Sequence, residues 1–159
     1  MKTYVITLSQ VFPSTHPRAG EQTGFKDKFF AAIKELKDEW WKLHTIRANY
    51  KLWKKRFEQI ERGEACLSVR QWSGKPYRSK QIELVRLTRE DGIGLQVLTF
   101  YRDRDGVASL KFFNVNGRYQ DSEHLAKNDG LTVKDWRDWF RYYDLSKPMA
   151  IIHFTKFRY

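Results

Sequence analysis

The pattern of apolar and polar residues predicts a mixture of short strands and amphipathic helices. Residues 3–9 alternate between polar and apolar side chains, which is typical of a half-buried strand. The segment 12–20 contains two prolines and a glycine, so it is predicted to be a loop. Apolar residues then recur at spacings of three and four, which predicts a helix over 25–40 with Thr23 as its cap.

A second amphipathic helix is predicted to start at Tyr50. Asn49 can cap it, and Gly63 lies just past its end. Its aromatic residues share one face, and most of its lysines lie off that face. Core packing is the simplest interpretation of this aromatic stripe.

After Gly63 the apolar residues recur with a period of two, which predicts strands. A helical spacing returns only near the end of the sequence. Asp105-Gly106 is a hairpin signal, and Thr132 to Asp135 resembles a capping box that opens a helix. The predicted strands cover 65–72, 82–86, 95–102, 107–115 and 150–154. Because these elements show no regular βαβ alternation, the pattern predicts one α+β domain spanning 1–159.

Charge adds a functional hint. The chain has 30 Lys and Arg residues against 19 Asp and Glu residues, a net charge of +11. Between Lys42 and Lys80 there are eleven basic residues and only three acidic ones. Such a concentrated positive field attracts anionic partners, and nucleic acid is the commonest partner of a compact basic protein. A cationic surface without a specific partner is the alternative.

The sequence does not indicate a disulfide-bonded protein, a membrane protein, or a metal or cofactor site. Cys66 is the only cysteine, which excludes an intramolecular disulfide and favours a reducing compartment. No secretory leader or membrane-length apolar run is visible, so we expect a cytoplasmic protein that does not enter membranes. The four histidines are scattered, and no zinc motif, phosphate-binding loop or dinucleotide fingerprint occurs, so we expect no metal and no cofactor.

The segment Lys42-Leu43-His44-Thr45-Ile46-Arg47 lies between the two predicted helices and could line a pocket. A lysine that is desolvated or crowded by cations has a lowered pKa and can deprotonate a hydroxyl nucleophile three residues away. Arg47 could supply the crowding or bind a phosphate. A solvated turn is the other interpretation of this segment.

The loop that follows Trp72 mixes aromatic and basic residues. Aromatic rings stack on bases while cations neutralise phosphates, a combination that suits single strands. A basic surface loop with its aromatic residues turned inward remains the alternative. The predicted nucleic-acid-binding residues are Arg47, Lys51, Lys54, Arg70, Trp72, Lys75, Tyr77, Arg78 and Lys80.

The Lys42, Thr45 and Arg47 spacing, followed by Ile60 to Gly63 and a strand, resembles the ASCH family of the PUA-like superfamily. The resemblance implies a small mixed pseudo-barrel with flanking helices, a cleft between barrel and helices, and RNA, nucleotide or modified-nucleoside ligands. One branch of the family hydrolyses N4-acetylcytidine with a Lys, a Thr and a Glu. By similarity Lys42 would be the base, Thr45 the nucleophile and Asp129 the acid, one methylene shorter than the Glu of the family.

Two functions are therefore expected. The first is binding of RNA, single-stranded nucleic acid or a nucleotide in a basic, aromatic-lined cleft. The second is hydrolysis of an acylated nucleobase by Lys42, Thr45 and Asp129. A third possibility is an adaptor that binds an acidic protein. The sequence leaves the oligomeric state open.

Overall fold

The computed structural model describes residues 1–159 and contains four α-helices and eight strands. The helices are α1 (Phe25–Ile33), α2 (Tyr50–Glu61), α3 (Ser122–Asn128) and α4 (Val133–Phe140). The strands are β1 (Lys2–Thr7), β2 (His44–Arg47), β3 (Ala65–Trp72), β4 (Gln81–Leu87), β5 (Gly94–Arg102), β6 (Ala108–Val115), β7 (Arg118–Tyr119) and β8 (Met149–His153). The α+β prediction is confirmed.

The strands form two sheets, and neither closes into a barrel. The smaller sheet has the order β1-β3-β4, with β1 parallel to β3 and β3 antiparallel to β4. The larger sheet has the order β2-β8-β5-β6-β7 and is antiparallel throughout. Pairing of β1 with β3 and of β2 with β8 joins segments that are distant in sequence.

Local chemistry explains where the helices begin. The Asn49 side chain accepts a hydrogen bond from Leu52 N at 3.2 Å and starts α2. The Thr132 hydroxyl accepts one from Asp135 N at 3.2 Å and starts α4. Each side chain satisfies a backbone N–H group that has no partner within its helix. Both helix starts were predicted from the sequence.

The predicted helix over 25–40 is too long, because α1 ends at Ile33. Glu35 and Asp38 adopt left-handed backbone conformations, with φ of 52° and 64°, which a helix cannot contain. Leu36 is 46% exposed, so it does not extend the apolar stripe of α1. The chain beyond Ile33 instead turns back towards β2.

The core lies between the two sheets and the helices. It is a cluster of 28 buried residues that includes Phe29 of α1, Phe57 of α2, Trp136 of α4 and the inner residues of β3, β5 and β8. None of the four helices has the length and apolar character that a bilayer-spanning segment requires.

Candidate functional site

Lys42 and Asp129 form an ion pair inside the protein. Lys42 is 1% exposed and Asp129 is 3% exposed. Lys42 Nζ donates to Asp129 Oδ1 at 2.7 Å and to the Asp129 carbonyl oxygen at 2.6 Å. It also lies 4.0 Å from the centre of the Phe25 ring. An ammonium group survives burial only with such partners, so the segment 42–47 is no solvated turn.

Backbone contacts hold the two charged residues together. Leu43 N donates to the Asn128 carbonyl at 2.7 Å, which ties the start of β2 to the end of α3. Gly130 follows Asp129 with a φ of 83°, which suits glycine best. A Cβ at Gly130 would lie 3.3 Å from Phe25 and 3.4 Å from Lys42 Cβ. Glycine at this position therefore permits the close approach on which the ion pair depends.

Burial shifts the proton affinities of the pair towards each other. Desolvation lowers the pKa of Lys42, and Arg47 lowers it further, while Asp129 opposes both effects. Desolvation raises the pKa of Asp129, against the opposing charges of Lys42 and Arg47. A proton therefore moves between the amine and the carboxylate at a lower cost than in water. Acid–base chemistry at this position is physically reasonable.

The ion pair faces a small cavity. Its volume is about 40 Å³, which is room for a few water molecules. Lys42, Thr45, Arg47 and Asp129 all line it. The structure thus brings together the three residues predicted as catalytic and one of those predicted to bind nucleic acid. The remaining walls come from the end of β1 and the residues after it, from aromatic residues of α1 and α4, and from Ile46 and Leu131.

Arg47 brings a positive charge that no carboxylate neutralises directly. Its Nη2 donates to the Thr7 carbonyl at 2.6 Å, and its Nη1 donates to the Ile46 carbonyl at 3.3 Å. Burial is the main effect that lowers its pKa, although the guanidinium remains charged at any ordinary pH. The charge is held in place by neutral acceptors, which leaves it available to an anionic group in the cavity.

Behind the ion pair lies a buried hydrogen-bond chain. Asn128 Nδ2 donates to the Tyr159 hydroxyl at 3.1 Å, and that hydroxyl is 2.6 Å from His44 Nε2. Since burial holds the pKa of His44 well below its usual value, the ring is neutral and accepts the Tyr159 proton at Nε2. Its proton then sits on Nδ1, which has no partner and lies 3.9 Å from Asp129 Oδ1.

The loop residues make a second, outer groove. Trp72 and Lys75 line a space of about 230 Å³ together with Ser9, and Ser9 also lines the cavity of Lys42. The Trp72 and Tyr77 rings are 5.2 Å apart, but Tyr77 is 90% exposed and does not line the groove. Ser9 therefore lines both the cavity and the outer groove. Together they are called the cleft below.

The other predicted binding residues lie outside the cleft walls. Arg78 and Lys80 are exposed, and neither lines the cavity or the outer groove. Arg70 donates to Ser68 Oγ at 2.8 Å and lies 3.8 Å from Glu83. These contacts offset the charge of Arg70, whereas the charges of Arg78 and Lys80 face solvent.

The two predicted lysines of α2 are also remote from the cavity. Lys51 and Lys54 are exposed on this helix. Lys54 Nζ forms an ion pair with Glu58 Oε1 at 2.7 Å, one turn further along. Neither lysine lines the cavity or the outer groove. The structure therefore does not bring them together with Lys42.

Sequence reasoning missed part of the site. Ser9, which lines both parts of the cleft, follows a strand whose pairing partner is distant in sequence, so no local signal marks it. Asn128 and Tyr159 were also missed, because only tertiary contacts connect them to His44. The one available signal was the Asn128-Asp129-Gly130 sequence, in which a polar pair precedes a glycine. No group of three or more His, Cys, Asp or Glu residues is placed to hold a metal ion.

Comparison with family models, curated proteins and solved structures found no match to this chain. The resemblance to the ASCH family therefore stays a prediction.

Proposed function

We propose that this protein binds a nucleotide or a single-stranded nucleic acid in the cleft. One observation carries the proposal. The cavity lined by Lys42 and Arg47 shares Ser9 with a groove that has an aromatic wall at Trp72 and a cation at Lys75. A polar, cationic end next to an aromatic groove matches the two chemical parts of a nucleotide.

The two parts of the cleft differ in size, which suggests how a ligand is placed. The cavity of about 40 Å³ admits only the polar edge of a ligand, whereas the outer groove of about 230 Å³ has room for a flat ring. A base would therefore stack on Trp72, and an anionic or carbonyl group would point towards Arg47. Electrostatic attraction by the +11 chain would speed the encounter.

Binding of fluorescent twelve-nucleotide RNA and DNA oligomers across a salt series tests this proposal. We expect the logarithm of affinity to fall linearly with the logarithm of salt concentration. Trp72→Ala should weaken binding by about 5- to 100-fold through lost stacking. Lys75→Glu should weaken binding and reduce the salt slope.

Lys26→Glu is the matched control, because this exposed lysine of α1 changes the net charge equally but lies outside the cleft. Equal effects of Lys26→Glu and Lys75→Glu would mean that the net charge alone attracts the oligomer. No binding at low salt would refute the proposal.

A second candidate function is hydrolysis of an acylated nucleobase, favoured by the convergence of Lys42, Thr45 and Asp129 on one cavity. After one proton of Lys42 passes to Asp129, the neutral Lys42 amine would take the Thr45 hydroxyl proton while Thr45 Oγ1 attacks the acyl carbon. Lys42 would return that proton to the departing exocyclic amine of the base as the C–N bond breaks. Water would then release the acid from Thr45, and Arg47 could stabilise the oxyanion.

Incubation with N4-acetylcytidine, followed by chromatography of the released cytidine, tests this reaction. Thr45→Ala should abolish turnover, whereas Thr45→Ser should retain a nucleophilic hydroxyl and part of the activity. Thermal unfolding of each variant shows whether the fold is intact. Unchanged turnover in Thr45→Ala would eliminate Thr45 as the nucleophile.

A further inference from the structure

A second pocket lies away from the cleft, where the end of α1, the end of β4 and the residues after β8 meet. Its volume is about 420 Å³, which is larger than either part of the cleft and within the range of small-molecule sites. It shares no lining residue with the cleft. Most of its lining is apolar, including Ile33, Trp41, Leu43, Leu87, Phe154 and Phe157. It is called the second pocket below.

Contacts within the protein hold the aromatic walls of the second pocket in place. Trp41 Nε1 donates to the Leu36 carbonyl oxygen at 2.7 Å, so the polar atom of the indole is already satisfied. Phe154 is 1% exposed and packs edge-on against Phe29, with 4.9 Å between the ring centres. Walls that are already ordered can bury an apolar group without the entropic cost of immobilising their own side chains.

Two charged side chains of the second pocket have no partner of opposite charge. Glu35 and Lys156 both line the pocket, and neither takes part in any ion pair of the protein. Asp91 also lines it, but its Oδ2 accepts Thr88 N at 2.7 Å and so stabilises the turn between β4 and β5. One carboxylate and one ammonium group are therefore free to bind a ligand.

Unusual backbone features accompany both free charges. Glu35 has a φ of 52° and follows the cap residue of α1, a position that glycine commonly occupies. An acidic residue kept in this left-handed conformation is strained, and such strain clusters at binding sites. Lys156 crosses Gly92, where an added Cβ would collide with Lys156 Cγ. Glycine at position 92 therefore lets the lysine stem lie against the turn beside the pocket.

We propose that the second pocket binds a free amino acid with a large apolar side chain. The apolar walls receive the side chain, Glu35 accepts from the α-ammonium group, and Lys156 donates to the α-carboxylate. A nucleotide fits less well, because Glu35 and Asp91 place two carboxylates against one ammonium group. A simple amine or a simple carboxylic acid would leave one of the free charges unpaired beside an apolar ligand. The inference does not depend on the proposed function.

Isothermal titration calorimetry of the full-length protein tests the class of ligand. L-Phenylalanine is compared with 3-phenylpropionate, which lacks the ammonium group, with 2-phenylethylamine, which lacks the carboxylate, and with glycine, which lacks the apolar side chain. We expect L-phenylalanine to bind about 10- to 100-fold more tightly than each of these, because each loses a charge-assisted contact or the apolar burial. An analogue that binds as tightly as L-phenylalanine would overturn the proposal. So would the absence of saturable heat from L-phenylalanine, L-tryptophan and L-leucine.

Charge-removing variants test whether the second pocket is the site. Glu35→Gln should weaken L-phenylalanine binding by about 10-fold or more without weakening 3-phenylpropionate, which offers no ammonium group to Glu35. Lys156→Gln should likewise weaken L-phenylalanine but not 2-phenylethylamine. Glu39→Gln and Lys147→Gln are the matched controls, because both residues are exposed and lie outside the pocket. Thermal unfolding confirms that each variant is folded. Equal effects of the pocket variants and their controls would overturn the proposal.

Discussion

The buried ion pair and the exposed loop of this protein carry similar residue types in opposite environments. Lys42 is 1% exposed and has an acidic partner at 2.7 Å, whereas Lys75 and Arg78 are exposed and belong to no ion pair with Asp or Glu. Tyr159 has its hydroxyl within a buried hydrogen-bond chain, whereas Tyr77 is 90% exposed. The same chemical group therefore contributes to stability in one region and is free for ligand binding in the other.

This contrast separates two kinds of substitution. In the buried region a change leaves an unpaired polar group in a medium of low dielectric constant. In the exposed loop, water solvates the groups that are left when a side chain is removed. Stability measurements should therefore respond to the first region, and ligand binding should respond to the second.

Removing one member of the ion pair should have the largest effect. We expect Asp129→Ala to lower the free energy of unfolding by about 3 to 5 kcal/mol, because it leaves Lys42 buried without its acidic partner. Urea unfolding measures this loss. The double variant Lys42→Met with Asp129→Leu should lose much less, since neither charge remains. A single-variant loss below about 1 kcal/mol would contradict the view that the pair is strongly coupled to its buried environment.

Acid should weaken the fold through the buried histidines. Burial lowers the pKa of His153 to about 3, below its usual value of 6.5. The unfolded chain therefore binds more protons than the folded one between these values, so stability falls as the pH drops through this window. We expect His153 alone to lower the free energy of unfolding by about 2 kcal/mol when the pH falls from 7.5 to 5.

Urea unfolding of wild type and His153→Gln at both pH values tests this. The variant should lose less stability on acidification than the wild type. His44, whose pKa burial also lowers, should account for part of the remaining loss. Identical pH dependence of the two proteins would show that His153 is not neutral and buried as described.

Removing the Tyr159 hydroxyl should have a moderate effect. Tyr159→Phe leaves His44 Nε2 buried without its donor, so we expect a loss of about 1 to 2 kcal/mol in the free energy of unfolding. Nitrogen NMR shifts of His44 should also change, because the hydroxyl fixes the Nδ1–H tautomer. Tyr143→Phe, at a 41% exposed tyrosine, is the control.

A change in the exposed loop should have the smallest effect on stability. We expect Tyr77→Ala to alter the free energy of unfolding by at most about 0.5 kcal/mol, because the side chain is 90% exposed. RNA affinity should fall if Tyr77 stacks on a base beside Trp72. A large stability loss in this variant would remove the contrast between the two regions.

Local features of the sequence predicted much of the fold. Asn49 and Thr132 mark helix starts because their side chains satisfy nearby backbone groups. Asp105-Gly106 marks the β5–β6 turn for an equally local reason. The end of α1 was predicted wrongly, because Leu36 and Trp40 continue the helical spacing although the backbone leaves the helical conformation at Glu35.

The candidate site was only partly predictable. The Lys42, Thr45 and Arg47 spacing pointed to one segment, and resemblance to a family suggested Asp129. Pairing of Lys42 with Asp129 depends on the fold as a whole, and so does the contact of Ser9 with both parts of the cleft. Such contacts join distant segments, so no periodicity or capping signal encodes them.

Pairing of β2 with β8 has a consequence for how the cleft is assembled during synthesis. His44 pairs with His153, near the opposite end of the sequence, so β2 leaves the ribosome long before its neighbour exists. Until β8 has been synthesised, the interior that buries the ammonium group of Lys42 is incomplete. Closing such a long loop is slow compared with forming a local hairpin such as β5–β6. The cavity around Lys42 should therefore be among the last parts of the nascent chain to form.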